Sequence, residues 1–316
     1  MEKIAILTGG DSAEHDISLM SAKTVLDNLN KKKYEPIIVY LTNGIYTVEN
    51  QKINTTDFSF IKNNTKKKFD KIFIALHGPP AENGLIQDYL DEIKIPYTSC
   101  NAKVSALTFN KFKCNEKLRQ LGFKCANSIL LDSEVNINEE KIIEKIGIPC
   151  FVKPNGAGSS YGVSKITKKS DLLKSIKNAF SYDSQVIIES CINGIEVSCG
   201  VYYNGNEVKA LPITEIISEN AFFDYDAKYK GKAKEITPAR ISKRITTKIQ
   251  KNTIDIYKKM NLSGICRIDF IIKEKEAYII EINTIPGFSE KSIIPQQLKA
   301  SNIDLAEIFD LCLSNI

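Results

Sequence analysis

Near the C-terminal end, two short runs gather acid, base and amide side chains at a spacing of two: Arg267-Ile268-Asp269-Phe270 and Glu281-Ile282-Asn283. Alternation along a strand puts Arg267 and Asp269 on one face, and Glu281 and Asn283 on one face of the next. If those strands pair, Asp269, Glu281 and Asn283 present three hard oxygen ligands at one spot. Magnesium prefers such ligands and fills the rest of its shell with water and substrate phosphates. The competing reading is an ion pair in which Arg267 simply neutralises Asp269. Two carboxylates on a buried strand face need a cation nearby, and the spacing favours a metal–phosphate site.

A second candidate is Gly156-Ala157-Gly158-Ser159-Ser160-Tyr161-Gly162, which follows the apolar run Cys150–Pro154. Its G-x-G-x-x-x-G spacing misses the dinucleotide fingerprint. The residues after it alternate like a strand where that fold needs a helix. The phosphate loop G-x-x-x-x-G-K-[ST] is absent. What remains is a strand, a glycine loop and a return strand. Such a loop can close over phosphates with its N–H groups and hydroxyls, and it is also compatible with an ordinary hairpin turn. Lys153 stands a few residues before it and could aim a cation at the same phosphates.

These residues need a scaffold, and the pattern supplies one. In the first third, strands at Lys3–Leu7, Pro36–Leu41 and Lys71–Leu76 alternate with helices at Ile17–Leu29 and Leu85–Ile93. That is a βαβ pattern and implies a parallel sheet, with sites at the carboxyl ends of its strands. Two loops there are chemically rich: Gly9–Asp16 and His77–Gly84. A helix over Ser105–Leu121 follows. A compact α+β module then comprises strands at Asn127–Leu131, Cys150–Pro154, Tyr161–Ile166 and Gln185–Glu189, with helices at Glu139–Ile146 and Asp171–Phe180. Longer strands complete the chain at Glu196–Tyr203, Glu207–Ile213, Ile265–Ile272 and Tyr278–Ile282. Between them Ser218–Ala239 is polar and aperiodic, the kind of long loop that usually carries function. Boundaries near residues 100 and 190 divide the chain into 1–100, 101–192 and 193–316.

Composition excludes several classes. The 316 residues are 43% hydrophobic and 26% charged, ordinary for a globular protein and long enough for a large core. A net charge of +5 is small for this size and argues against a nucleic-acid partner. Eight cysteines without a C-x-x-C pair, and only two histidines, leave no pattern for zinc. No apolar run approaches a membrane span, and the N-terminal run is too short for an export signal. A cytoplasmic setting with reduced thiols is expected. Neither a Ser–His nor a Cys–His pairing is readable, so a hydrolase has no visible machinery.

The order Lys153, Gly156–Gly162, Glu189, Glu196, Arg267-x-Asp269 and Glu281-x-Asn283 resembles the ATP-grasp fold. Three further segments narrow the resemblance to D-alanine–D-alanine ligases: Gly9–Ser18, Phe223-Asp224-Tyr225-Asp226-Ala227-Lys228-Tyr229, and Asn283-Thr284-Ile285-Pro286-Gly287-Phe288-Ser289. The resemblance covers nearly the whole chain. It implies an N-terminal substrate-binding βαβ domain followed by a two-module ATP-grasp region. It also implies ATP-dependent joining of two D-alanine molecules through an acyl phosphate for peptidoglycan precursors, two Mg2+ or Mn2+ ions, and a homodimer. A D-alanine–D-lactate or D-alanine–D-serine ligase is the nearest rival, and a non-catalytic nucleotide-binding paralogue the rival from another class.

Residue roles follow from the resemblance alone. Lys111, Lys153 and the loop bearing Ser160 would hold ATP phosphates, Glu189 to Ile192 the adenine, and Glu196 the ribose. Asp269, Glu281 and Asn283 would hold the metal ions. The first D-alanine would lie near Glu14, His77 and Glu82, with Arg267 and the Gly287 N–H on its reacting oxygen. The second D-alanine carboxylate would sit at Ser292 and the Ile293 N–H. Glu14, Ser159 and Tyr229 would form a hydrogen-bonded trio, Lys228 would stabilise phosphoryl transfer, and Ser218–Ala239 would form a lid. One stretch departs from the family pattern H-G-x-x-G-E-D-G: here it runs His77-Gly78-Pro79-Pro80-Ala81-Glu82-Asn83-Gly84. An Ala81 forced to positive φ would cost about 1 kcal/mol and disturb the first-substrate site.

Overall fold

A computed structural model describes residues 1–135, 137–218 and 233–316. Strand β1 (Glu2–Gly9) is flanked by β2 (Tyr34–Thr42) and β7 (Lys71–Ile74), both parallel to it. Ile4, Ala5, Ile6 and Leu7 of β1 are wholly buried. A continuous apolar run is what a central parallel strand covered on both faces requires. Helix α1 (His15–Asn28) covers one face with Ala22 and Val25. Strands β3 (Ile45–Val48) and β4 (Gln51–Lys52) extend the sheet antiparallel, and β5 (Phe60–Lys62) and β6 (Thr65–Lys67) form a separate hairpin. These four short strands were not anticipated from the sequence. Helix α2 (Leu85–Glu92) follows the His77–Gly84 loop.

The expected single helix over Ser105–Leu121 is two: α3 (Ala102–Phe109) and α4 (Lys111–Gln120). Asn110 breaks it with ψ at 98°, and its side chain accepts the Lys113 N–H as a cap at 2.9 Å. An Asn side chain competing for backbone donors explains the break. The break has a use, since it turns Lys111 toward the glycine loop.

A four-stranded antiparallel sheet follows, built from β9 (Ser128–Leu131), β10 (Cys150–Pro154), β11 (Ser164–Ile166) and β12 (Val186–Ser190). Helices α5 (Glu139–Ile146) and α6 (Leu172–Phe180) back it through Ile142, Ile146, Leu172 and Ile176. The return strand starts three residues later than expected, because Ser159, Ser160 and Gly162 take positive φ and extend the turn.

Among the described residues the third sheet has seven strands. Its path runs β16 (Ala233–Ile236), β15 (Thr214–Ser218), β13 (Ile195–Tyr203), β17 (Cys266–Lys273), β18 (Glu276–Asn283) and β8 (Lys124–Cys125), with β14 (Val208–Ala210) on β13. The strand expected over Glu207–Ile213 stops at Ala210, and Pro212, lacking an N–H, separates it from β15. Helix α7 (Lys243–Lys259), unforeseen because its lysines mask the apolar stripe, buries Ile245, Ile249, Thr253, Ile256 and Tyr257. Helices α8 (Ile293–Ala300) and α9 (Leu305–Ser314) return to the first sheet. Phe309 there packs edge-on against Phe73 and Phe288 at 5.3 and 5.2 Å. Both ends of the chain thus share one core, and the ends of β1, β7 and β18 converge. No helix among the described residues is long and apolar enough to cross a membrane.

Candidate active site

Two contiguous cavities lie where the sheets meet. The first is a slot of about 140 Å³ between the glycine loop and the long sheet, lined by Lys111, Phe151, Lys153, Ser160, Ile192 and Glu196 among others. The second is a chamber of about 520 Å³ beneath α8, within the size range of small-molecule sites. Lys111, Ser159 and Glu281 line both.

In the slot, Lys153 Nζ donates to Glu189 Oε2 at 2.8 Å, and Asn115 Nδ2 donates to Oε1 at 2.6 Å. Burial alone would lower the lysine's pKa, but Glu189, with Glu281 and Glu196 beyond it, holds it above the usual value. A permanently cationic, largely buried amine is the result. Lys111, at the first residue of α4, donates to the Ala157 carbonyl of the glycine loop. That loop holds Ser159 at φ 49° and Ser160 at φ 59°. Each left-handed non-glycine residue costs roughly 1–2 kcal/mol, so surrounding contacts impose the bend.

Between slot and chamber, β17 and β18 pair antiparallel with Arg267 opposite Asn283 and Asp269 opposite Glu281. The four side chains expected on one face are therefore together. The ion-pair reading is also realised. Arg267 grips Asp269 through two bonds, Nε to Oδ1 at 2.9 Å and an Nη to Oδ2 at 2.8 Å. Ser198 Oγ donates to Asp269 Oδ1 at 2.6 Å, and Asn283 Nδ2 donates to Oδ2 at 3.1 Å. The donor set is oxygen throughout, two carboxylates and an amide beside two lysines. It fits a hard divalent cation bridging phosphates and does not fit a soft one.

The N-terminal sheet supplies the far wall. Ser159 Oγ donates to Glu14 Oε1 at 2.5 Å, joining the glycine loop to the turn after β1. A Cβ on Gly158 would stand 2.9 Å from Glu14 Oε2, and one on Gly78, at φ 72°, 2.8 Å from Ser12 Oγ. Both glycines are thus required for close approach. Tyr229 and Lys228 lie outside the described residues, as does the motif Phe223–Tyr229 and residues 219–232 of the expected lid.

His77 is buried with both ring nitrogens engaged, Nδ1 with the Ile285 carbonyl at 2.9 Å and Nε2 with Ser21 Oγ at 2.8 Å. Nδ1 must donate to a carbonyl, so Nε2 accepts from Ser21 in the neutral ring. Burial lowers its pKa against the pull of Glu14. Glu82 lies 3.9 Å from His77 Nδ1. Burial, then Glu14, pushes its carboxyl up to about 8.

Ala81 does not take positive φ. It is wholly buried in the apolar core beside Leu76 and Ile86, and its carbonyl accepts Gln87 Nε2 at 2.8 Å. Asn83 Oδ1 faces the Leu85 N–H at the start of α2. Neither lines the chamber. The positive φ that would strain Ala81 is absent, because the buried side of the loop accommodates a methyl group.

At the other end, Ser292 caps α8 with extended backbone and bonds Ser289 Oγ at 2.8 Å. Gly287, Ser292 and Ile293 line the chamber, so the N-terminus of α8 borders it, an arrangement suited to a carboxylate. Four contributors escaped sequence reading: Ser21, Asn115, Ser198 and Glu235. Asn115, four residues after Lys111 on the same helical face, was findable by spacing. The other three gain meaning only from contacts far along the chain.

Comparisons with known proteins agree over the whole length. A family model described as D-ala D-ala ligase N-terminus matches residues 3–100, and one described as D-ala D-ala ligase C-terminus matches residues 118–314. The chain is 46% identical to the D-alanine--D-alanine ligase of Azobacteroides pseudotrichonymphae, covering 100% of both. It is 42% identical to that of Phocaeicola vulgatus, covering 99% of this chain and 98% of the relative. Among solved structures, a D-Ala:D-Ser ligase from Enterococcus faecalis superposes with TM-score 0.87 at 30% identity, covering 99% and 98% of the two chains. D-alanyl-alanine synthetase A from Vibrio cholerae gives 0.89 at 26% over the same shares.

Proposed function

The chain belongs to the D-alanine–D-alanine ligase family, and from that premise we infer how its two cavities divide one reaction. The enzyme is an ATP-dependent ligase of cell-wall synthesis, mixed α/β with the ATP-grasp fold, and its substrates are D-alanine. In our reading the slot takes ATP and the chamber takes both amino acids. Segments 1–100, 101–192 and 193–316 supply first-substrate binding, closure over the nucleotide, and the charged junction.

A carboxylate is a poor acyl donor because oxide is a poor leaving group. Transfer of the γ-phosphoryl group to one carboxylate oxygen of the first D-alanine releases ADP and gives an acyl phosphate. The second D-alanine, once its ammonium has given one proton to solvent, attacks the carbonyl carbon of that acyl phosphate as the free amine; the C–N bond forms, the C–O bond breaks with its electron pair leaving on inorganic phosphate, and the nitrogen's second proton departs with the phosphate. Lys111 and Lys153 exchange their Ala157 and Glu189 partners for phosphate oxygens, and the glycine loop bearing Ser160 closes over them. Glu189 and Ile192 border adenine, and Glu196 the ribose. Glu14, braced by Ser159, receives the first ammonium beside His77 and Glu82. Arg267 and the Gly287 N–H steady the oxyanion. The N-terminus of α8, with Ser292 and Ile293, takes the second carboxylate.

Asp269, Glu281 and Asn283 would hold Mg2+ or Mn2+, which when bound neutralises phosphate charge. A cytoplasmic homodimer completes the proposal, and mass in solution tests the dimer. The observation that carries the reading is the junction of Arg267, Asp269, Glu281 and Asn283 between the two cavities. The test is ADP release dependent on D-alanine, with D-alanyl-D-alanine identified as product. ATP turnover without dipeptide would overturn it.

A further inference from the structure

The chamber wall holds an acid that the reaction above does not use. Glu235 lies on the edge strand β16 and lines the chamber with Arg267, Gly287, Ser292 and Ile293. One carboxylate oxygen accepts Gln296 Nε2. Gln296 belongs to α8, and its own N–H faces the Ser292 carbonyl at 3.4 Å, one turn from the helix start. The helix whose N-terminus borders the chamber therefore also fixes Glu235. Among the described residues Glu235 forms no ion pair. Burial pushes its carboxyl up, while the Gln296 bond and then Arg267 pull it down and Asp269 pushes it up. A negative charge there is costly until a cation arrives beside it.

Resting on the reading that two D-alanines share the chamber, we propose that Glu235 anchors the ammonium group of the second D-alanine and so selects an amino acid over a hydroxy acid as acceptor. A zwitterion needs an anion site and a cation site about one residue apart. The start of α8 provides the first, and Glu235, tied to the same helix, provides the second. Glu14 comes from the N-terminal segment and is committed to Ser159. Arg267 lines the wall with Glu235, where the acyl carbonyl must lie. A hydroxy acid carries the carboxylate but no cation, so it gains from α8 and not from Glu235.

The experiment measures rates over a wide D-alanine range at saturating ATP, from whose curvature the two D-alanine KM values separate. Glu235→Gln keeps the size and removes the charge. It should raise the second KM on the order of tenfold to a hundredfold and leave the KM for ATP and for the first D-alanine within about twofold. With D-alanine and D-lactate both present, its amide-to-ester product ratio should fall by a similar factor. An unchanged second KM, or a rise confined to ATP or the first D-alanine, overturns the proposal. If Glu235→Gln does not fold, Gln296→Leu, which loosens the carboxylate but keeps its charge, should raise the second KM severalfold, and an unchanged value overturns the proposal equally. Absence of D-alanine-dependent ADP release in the wild type would instead overturn the ligase reading itself.

Discussion

The junction on β17 and β18 and the loop His77–Gly84 both border the chamber, and they encode their geometry in different ways. On the strands, position follows from a period of two. Once β17 and β18 pair, Arg267, Asp269, Glu281 and Asn283 have no other face to occupy. In the loop, no period operates. His77 is set by Ser21 and Ile285, residues far from it in the chain, and Ala81 by the apolar core beneath. Substitutions should therefore act differently in the two places: sharply at the junction, where Asp269 alone takes four hydrogen bonds from Arg267, Ser198 and Asn283, and by degrees in the loop.

The largest effect is expected at the junction. Glu281→Gln and Asn283→Ala should each reduce turnover by at least about a thousandfold, the loss of several kcal/mol of charge stabilisation. Both side chains are partly exposed to the cavities, so the melting temperature should move little. Turnover near wild type at saturating magnesium would erase the contrast between the two regions.

A smaller effect is expected where the regions meet. A Cβ on Gly158 would stand 2.9 Å from Glu14 Oε2. A carboxylate at the end of a flexible side chain can swing away cheaply, so Gly158→Ala should cost little stability. The swing breaks the Ser159–Glu14 bond, and turnover should fall roughly tenfold to a hundredfold. Gly84→Ala is the control: its Cβ would meet the Ala102 carbonyl oxygen at 2.4 Å, with φ at 89°. Backbone cannot swing away, and this variant should lose stability before activity. Equal melting temperatures for the two would show that the distinction fails.

The same difference explains what the sequence revealed. The βαβ start, the glycine loop and the junction were legible because alternation and turn composition are local signals. Lys111 was placed by resemblance, but the helix break that aims it was missed, since Asn110 is as compatible with a helix interior as with a cap until its partner is known. Helix α7 hid its apolar stripe among lysines. Ser198 and Glu235 carry no local signal at all, as their roles arise from Asp269 and Gln296. The family pattern raises the question of positive φ at Ala81 and cannot answer it, because φ in a loop depends on what packs beneath it.

Glu82 sharpens the loop side. Its carboxyl is pushed up to about 8 in the folded protein against an ordinary 4.5. The folded state then binds more protons than the unfolded one between those values, so stability falls as pH rises from about 4.5 to about 8. Glu82→Gln removes that slope. Denaturant titrations across this range should show the variant gaining on the wild type toward pH 8, by an amount on the order of a few kcal/mol at most. Parallel pH profiles for the two proteins would place Glu82 in a wetter setting than its burial indicates.

The smallest effect belongs to the double change Ala81→Gly with Asn83→Asp, which restores the family pattern in the loop. Were Ala81 held at positive φ, glycine would relieve strain and improve the first-substrate site. Ala81 is not so held, and its methyl group fills the core beside Leu76 and Ile86. Removing it leaves a methyl-sized gap and frees the unfolded backbone, costing about 1 kcal/mol. At position 83, Asp keeps an oxygen for the Leu85 N–H near the start of α2, where a negative charge is mildly favourable. Neither side chain borders the chamber, so the KM for D-alanine and for ATP and kcat should each stay within about twofold, while the melting temperature drops by a few degrees. A clear gain in kcat, or a lower KM for the first D-alanine, would mean that the loop transmits its backbone geometry to the substrate as directly as the strand pair does.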